Sequence, residues 1–228
     1  MRELLYCNPG TVDYKEAWDL QSFIHTKRRE NKIADFLFLL EHPNTYTLGK
    51  VAKKEHLIGS EDFLSEKGIS VYEIDRGGDI TYHGPGQIVG YPIISLTDWE
   101  KDSHKYLRAL EEVIILVCKA FGIEAGRNEK HTGVWVGDSK LAAIGIKISR
   151  WITMHGFAFN INTNLQLFNG IIPCGIQDKG VTSLSKLLGT KEVDIEEVKN
   201  LILKNFRKVF NYDSVKEINL SNLLKTRS

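Results

Sequence analysis

Residues 133–162, GVWVGDSKLAAIGIKISRWITMHGFAFNIN, hold three apolar runs separated by two very short polar breaks, and this stretch restricts the fold more than any other. The runs 133–136, 141–148 and 154–162 are short and bounded by Gly, Asp and Asn, which suits strands rather than helices. The first break is a Gly137-Asp138 turn and the second an Arg150-Trp151 segment, both short enough to send the chain straight back. Neighbouring strands joined this way run antiparallel. The expected architecture is therefore α/β (α+β) with a mixed, largely antiparallel sheet.

Further strands are expected at 35–40 (DFLFLL), 45–48 (TYTL), 70–74 (SVYEI) and 88–95 (IVGYPIIS). Three other segments repeat apolar residues at helical spacing. One covers about 13–30, with Ala17, Leu20, Phe23 and Ile24 behind Asp13 as a cap. The second covers about 103–121, with Leu107, Leu110, Ile114, Val117 and Phe121 on one stripe and Gly122 as its stop. The third covers about 194–210, with Ile195, Val198, Ile202 and Phe206 after the acidic Glu192 and Asp194. Such stripes suit helices that flank a sheet. With no internal repeat or long linker in 228 residues, the chain reads as one domain, 1–228, ending in a helical segment.

Thirty Lys+Arg against 29 Asp+Glu give a net charge of +1, which removes the overall basic charge typical of nucleic-acid binders. No apolar run approaches the roughly 20 residues needed to span a bilayer. The start, MRELLYCNPGTVDY, lacks the basic and apolar regions of a signal peptide. Cys7, Cys118 and Cys174 are widely spaced and form no C-x-x-C pair, which argues against a disulfide framework or structural zinc and for a reducing, cytoplasmic setting.

Three segments look chemical. In 76–91, RGGDITYHGPGQIVGY, five glycines in sixteen positions weaken any regular element and let backbone N–H groups approach a ligand. Arg76, Thr81, His83 and Gln87 set polar groups among them. Tight turns alone would account for Gly84–Gly86. The run is neither a P-loop nor a G-x-G-x-x-G fingerprint, so it implies no nucleotide phosphate. In 138–160, strict alternation puts Lys140 on the face of Ala142 and Ile144, with Lys147 on the other. A lysine opening an apolar strand is commonly an edge residue or snorkels to water; desolvated, it loses its proton nearer neutral pH. His155, read alone, is a hydrogen-bonded core histidine. In 171–176, IIPCGI, the flanking Pro173 and Gly175 place Cys174 on a turn. Gly180-Val181-Thr182-Ser183 then leads into a short helix ending near Leu188, whose N-terminus would favour a nearby thiolate. In isolation Cys174 reads first as an inert buried thiol. Cys118 reads as core, and Cys7 receives no role.

Together, RGGDITYHGPGQIVGY, SKLAAIGIKISRWITMHGFAFN and PCGI resemble the lipoyl(octanoyl) transferases, the octanoyl-ACP:protein N-octanoyltransferases of lipoate biosynthesis. EHPNTYTLGK (41–50), TVDYKEAWDLQ (11–21) and GVTSL (180–184) fit as well, so the resemblance runs over nearly the whole chain in family order. It implies a fold like the catalytic domain of biotin and lipoate protein ligases. It implies further that Cys174 is the acyl-thioester nucleophile and Lys140 the acid/base that lowers its pKa, while Lys147 is not catalytic. Acyl-binding contacts map onto Arg76, Gly77, Gly78 and Asp79, onto Ile80, Thr81, Tyr82 and His83, onto Ala143, Ile144 and Gly145, and onto Gly156, Phe157 and Ala158. His155 would support them, and Asp79 occupies a variable place. A thioester donor is already activated, so no ATP, cofactor or metal is implied. The implied partners are acyl carrier protein as donor and, as acceptors, lipoyl domains of 2-oxoacid dehydrogenases and the glycine-cleavage H protein; neither nucleic acid nor membrane is among them. Backbone N–H groups near Cys174 or in the glycine loops are expected to form the oxyanion hole. Lys53, Lys54, Arg150 and Lys179 are candidates for carrier docking, and a monomer is the default.

Other readings stay open on the residues. An amidotransferase would move octanoyl or lipoyl groups between carrier proteins through the same thioester. An ATP-dependent lipoate or biotin ligase needs no nucleophilic cysteine, and no extra C-terminal domain is evident. A non-catalytic acyl-binding module needs neither Cys174 nor Lys140. A hydrolase pairing Cys174 with His83 or His155 leaves Lys140 without a task.

Overall fold

Each of the three long helices begins where an aspartate takes up amides of the first turn. The computed structural model describes residues 1–172 and 180–221. Its elements run β1 (Glu3–Cys7), α1 (Tyr14–Arg29), β2 (Asp35–Leu40), β3 (Thr45–Leu48), α2 (Glu61–Glu66), β4 (Ser70–Glu73), β5 (Ile80–His83) and β6 (Gln87–Ile93). There follow α3 (Ser103–Ala120), β7 (Gly126–Arg127), β8 (Val134–Val136), β9 (Ser139–Ser149) and β10 (Ile152–Asn160). The chain resumes with β11 (Gly180–Val181), α4 (Leu184–Leu188), α5 (Ile195–Val209) and β12 (Ser214–Glu217). The carboxylates of Asp13, Asp102 and Asp194 accept from the second and third residues of α1, α3 and α5. Gly122 adopts φ +71° just past α3, the left-handed conformation that ends a helix.

Among the described residues, nine strands form one sheet in the order β12-β1-β2-β6-β10-β9-β8-β7, with β11 beside β9. The β12–β1–β2 and β11–β9 pairings are parallel. All others are antiparallel, so the sheet is mixed as expected. The final segment is woven in rather than appended: α5 packs beside α3 in the main core, and β12 pairs with β1. A second, three-stranded sheet, β4-β3-β5, stands apart. It contains a strand that the sequence did not suggest, because Ile80–His83 lies inside the glycine-rich run.

The main sheet separates two cores. One face carries Phe157, Phe159, Leu141 and Ala142 against the stripes of α3 and α5. The other carries Val89, Tyr91 and Ala158 against Ala17, Leu20 and Ile24 of α1. Full burial of a residue such as Ile202 or Phe206 contributes about 1.5–3 kcal/mol. Cys118 lies in the first core and Cys7 in the second. Burial pushes the Cys7 thiol up to about 11 and the Cys118 thiol up to about 12, so both stay protonated and unreactive at neutral pH. No helix among the described residues is long and apolar enough to cross a membrane.

Candidate active site

Strand β9 is paired on its outer side only near its start. Strand β8 meets residues 139–142, and beyond them the glycine-rich run takes over, with the Gly77 N–H donating to the Ile146 carbonyl at 2.9 Å. The contact is close enough to require glycine: a Cβ on Gly145 would stand 2.9 Å from the Gly77 oxygen. Between this run and the β9–β10 pair lies a cleft of about 530 Å³. Ala143, Ile144 and Gly145 line it, opposite Ala158, Phe157 and Gly156 in register. Arg76, Gly77, Gly78, Asp79, Ile80, Thr81 and His83 also border it. The structure does not bring Tyr82 to the cleft. Its ring is fully buried in the small core under β3 and β5, and its hydroxyl donates to Asn44.

Lys140 lies at one end of the cleft, only 8% exposed, with its Nζ 4.9 Å from the centroid of Trp135. Strict alternation does not hold here. Val134 pairs with Ala142 and Trp135 with Lys140, which leaves Leu141 as an extra residue, a β-bulge. Leu141 and Ala142 both enter the α3 core, whereas Lys140 faces the cavity with Ala143 and Ala158. Lys140 therefore does not share a face with Ala142, as strict alternation would have it.

A buried chain of hydrogen bonds converges on the same place. Arg76 donates through Nη2 to the Thr47 hydroxyl at 2.9 Å, and Thr47 Oγ1 lies 3.4 Å from His83 Nε2. His83 Nδ1 is 2.9 Å from Gln87 Oε1; Gln87 Nε2 donates to Asn160 Oδ1 at 2.9 Å; Asn160 Nδ2 donates to the Thr182 carbonyl at 3.0 Å. The ends fix the direction, because a guanidinium only donates and a carbonyl only accepts. His83 is thus neutral with its proton on Nδ1, and burial holds its pKa well below the ordinary histidine value. The Thr182 N–H donates to the Lys140 carbonyl at 3.0 Å, so the chain ends on the lysine's own backbone. Thr47, Asn160 and Thr182 were not foreseen as site residues. Their partners lie as far as 73 positions away, and no local pattern announces them.

The other end of the cleft is built differently. His155 is 1% exposed and holds φ +57°; its Nε2 is 2.9 Å from Asp75 Oδ1, and Lys147 Nζ is 2.5 Å from Asp75 Oδ2. Hydrogen bonds from His155 and Lys147 keep the Asp75 carboxyl well below the usual carboxylate range. Burial lowers the pKa of His155 despite that neighbour. His155 pairs with Ile146, six residues along β9 from Lys140, or roughly 20 Å at about 3.3 Å per residue. It cannot exchange protons with a group at Lys140. Asp79 is an internal pin, receiving His56 Nδ1 at 2.6 Å and its neighbour's Ile80 N–H at 2.7 Å.

Cys174 and Lys179 lie outside the described residues, as does the expected Pro173–Gly175 turn. The chain on either side is anchored. The Ile172 N–H donates to the His56 carbonyl at 2.8 Å, and Gly180 pairs with Ser139, next to Lys140. The short helix α4 follows and ends at Leu188, as read from the sequence, with Ser183 as its cap and Gly189 as its stop. Of the docking candidates, Lys53 and Lys54 are exposed close to Val51 at the cleft, while Arg150 is on the distant β9–β10 turn.

Residues 13–207 match the model of the lipoyl protein ligase A/B catalytic domain. The chain is 50% identical over 206 residues to an octanoyltransferase of Caldicellulosiruptor bescii, covering 90% of each protein. It is 47% identical over 222 residues to one of Flavobacterium johnsoniae, covering 90% of this chain and 96% of the relative. A structure of lipoate-protein ligase A bound with ATP superposes with a TM-score of 0.78 at 16% identity, over 99% of this chain and 92% of that one. A biotin protein ligase from Aquifex aeolicus in complex with biotin and ATP gives 0.53 at 14% identity, over 92% and 71%. At such identities these two establish the fold alone, and it is the ligase-type fold expected from the sequence.

Proposed function

The chain belongs to the octanoyltransferase family, with the catalytic domain of the lipoyl protein ligases A and B, and on that premise we propose that it moves an octanoyl group from acyl carrier protein to the acceptor lysine of lipoyl domains and the glycine-cleavage H protein. It is an acyltransferase. The reading treats 1–228 as one catalytic domain working in the cytoplasm.

The observation that carries the reading is a buried lysine at the end of a cleft floored by small residues, Ala143 opposite Ala158. The acyl chain lies along that floor with its carbonyl carbon at Lys140. Burying each CH₂ contributes about 0.8 kcal/mol, which favours a medium-length chain over a short one. Cys174 attacks the thioester; its sulfur bonds to the carbonyl carbon, and the bond to the carrier's thiol breaks. Lys140 holds the proton taken from Cys174 and delivers it to the departing thiolate. In the second half the acceptor amine attacks the S-octanoyl enzyme, Lys140 takes the amine's proton, and the Cys174 thiolate leaves. Free cysteine is only a few per cent thiolate at pH 7, so an adjacent base is the group such a nucleophile needs. His155, some 20 Å along the strand, has no part in the proton transfers.

The test is intact-protein mass spectrometry after incubation with octanoyl-ACP and no ATP, on wild type and Cys174→Ser. The expected result is a hydroxylamine-labile octanoyl adduct on wild type that moves to an added lipoyl domain, and no thioester on the variant. Acylation of the domain only with ATP and free octanoate would make the protein a ligase. Acylation only from a protein octanoylated on its lysine, and not from octanoyl-ACP, would make it an amidotransferase.

A further inference from the structure

A side chamber of about 20 Å³ lies beside Lys140. Thr81, Lys140, Ala143 and Ala158 border both the chamber and the main cleft, so it opens off the cleft at the lysine. Among the described residues, Gln87 and Asn160 form its polar wall, and Phe168 and Val181 also border it. A cavity needs roughly 10–15 Å³ to hold one water, so the chamber takes a single oxygen atom but no alkyl chain.

Its lining is rich in donors. Asn160 turns Oδ1 to Gln87 and gives one Nδ2 hydrogen to the Thr182 carbonyl, which leaves a second N–H. Gln87 has none to spare, because its Nε2 donates to both the Tyr82 carbonyl and Asn160 Oδ1. Thr81 is 8% exposed, and its hydroxyl has no hydrogen-bond partner among the described residues. The buried chain of hydrogen bonds locks Asn160 in this orientation: a flipped amide would set oxygen against the Thr182 oxygen and nitrogen against Gln87 Nε2. The Thr81 hydroxyl borders both the cleft and the chamber, so it is open to whatever enters there.

We propose that this chamber is the oxygen site of acyl transfer, where the Thr81 hydroxyl and the second N–H of Asn160 hold the carbonyl oxygen of the acyl group. The proposal rests on the acyl-transfer reading above and assigns to side chains the task expected of backbone N–H groups. As the attacking sulfur bonds to carbon, the C=O π pair moves onto oxygen and is held by these donors. When the bond to the departing thiolate breaks, the pair returns to the carbonyl and the thiolate takes its proton from Lys140. Donors fixed before the reaction need no reorganisation as the charge develops.

The experiment measures steady-state octanoyl transfer from octanoyl-ACP to a lipoyl domain by wild type, Thr81→Val and Thr81→Ser. Valine keeps the shape and removes the hydroxyl; serine keeps the hydroxyl. The expected result is a kcat about 10²-fold lower for valine with KM nearly unchanged, and most of the rate restored by serine. Three outcomes would overturn the proposal: a valine kcat within about threefold of wild type, an equal loss for valine and serine, or a loss confined to KM. The first of these leaves the chamber a site for structural water. Should Thr81→Val fail to fold, Thr81→Ala serves, read by the infrared carbonyl stretch of an enzyme-bound ¹³C-octanoyl thioester. That band is expected to rise toward the free thioester value when the hydroxyl is lost, and an unmoved band overturns the proposal. A wild-type enzyme that transfers nothing from octanoyl-ACP fails the acyl-transfer reading instead, so the two failures are distinct.

Discussion

The two ends of the cleft each hold a buried histidine and treat it in opposite ways. At the Lys140 end, His83 is one neutral link in a chain running from the Arg76 guanidinium to the Thr182 carbonyl, with both ring nitrogens occupied. At the far end, His155 is held at φ +57° against a carboxylate that also binds Lys147, and its Nδ1 has no partner among the described residues. The first end is organised by fixed dipoles. The second uses charges, and it does so where Asp75 and Lys147 are still partly in water. Oriented dipoles can stabilise charge that develops beside them without reorganising as the reaction proceeds. The Asp75 cluster lies roughly 20 Å along the strand from that end.

The contrast breaks most directly at the two lysines on β9. Lys140→Met keeps length and burial but removes the proton carrier, and kcat is expected to fall by roughly 10²–10⁴-fold, the range for a lost general acid–base. Lys147→Met removes one partner of Asp75 and is expected to leave kcat within a few-fold of wild type. Its stability cost is about 0–1 kcal/mol, because the pair is partly exposed and screened. Parallel kinetics and urea unfolding on both variants check this. Equal losses of kcat would end the distinction between a reacting end and a structural end.

Acid provides a second, smaller test. His42, behind the cleft, donates through Nδ1 to the Val12 carbonyl at 2.7 Å and accepts the Tyr91 hydroxyl on Nε2 at 2.7 Å, and burial lowers its pKa to about 4. His83 is lowered for the same reason. A histidine kept neutral by folding binds fewer protons in the native state than in the unfolded state below about pH 6.5, so stability falls with falling pH in that range. From His42 alone the loss by pH 4 is about 3 kcal/mol, at 1.36 kcal/mol per unit. Above pH 6.5 these groups contribute no slope. Urea unfolding at pH 7, 5.5 and 4 reads the curve. A flat curve from 6.5 to 4 would mean that the neutral network tolerates charge and is not a rigid element.

What the sequence made legible follows from how local each signal is. The hairpins around Gly137-Asp138 and Arg150-Trp151, and the apolar stripes of the three long helices, rest on neighbours within a few residues. The residues bordering the cleft came from motif resemblance, and those of β9, β10 and the glycine-rich run lie around one cavity, Tyr82 apart. Strand β5 was hidden because the glycines around Ile80–His83 argue against a strand, while β3 supplies the pairing from 35 residues earlier. The face of Lys140 was misread because one extra residue, Leu141, inverts the alternation without any signature in composition. Asn160 and Thr47 looked like ordinary polar residues, since their roles come from partners brought together only by the sheet.

The smallest predicted effect lies at the turn that sets the register of both ends. Ser149 pairs with Ile152, and the two residues between them, Arg150 and Trp151, hold φ +53° and +64°. Positive φ at both central positions matches the twist of a two-residue hairpin, yet costs about 1–2 kcal/mol for a residue with a Cβ. Trp151→Gly relieves that strain at one position. It also gives up the Lys101 ammonium, 5.1 Å from the indole, worth about 0.5–1 kcal/mol at an exposed site, and it loosens the unfolded chain. The expected balance is a gain of about 0.5 kcal/mol, read as a higher urea midpoint with unchanged slope. Octanoyl transfer should be unchanged, because the turn is ten residues from Lys140, about 30 Å along the strand. A loss of stability would show that the indole, not the backbone, holds the turn. A loss of transfer at unchanged stability would place this tip, with Arg150 beside it, in contact with a carrier protein.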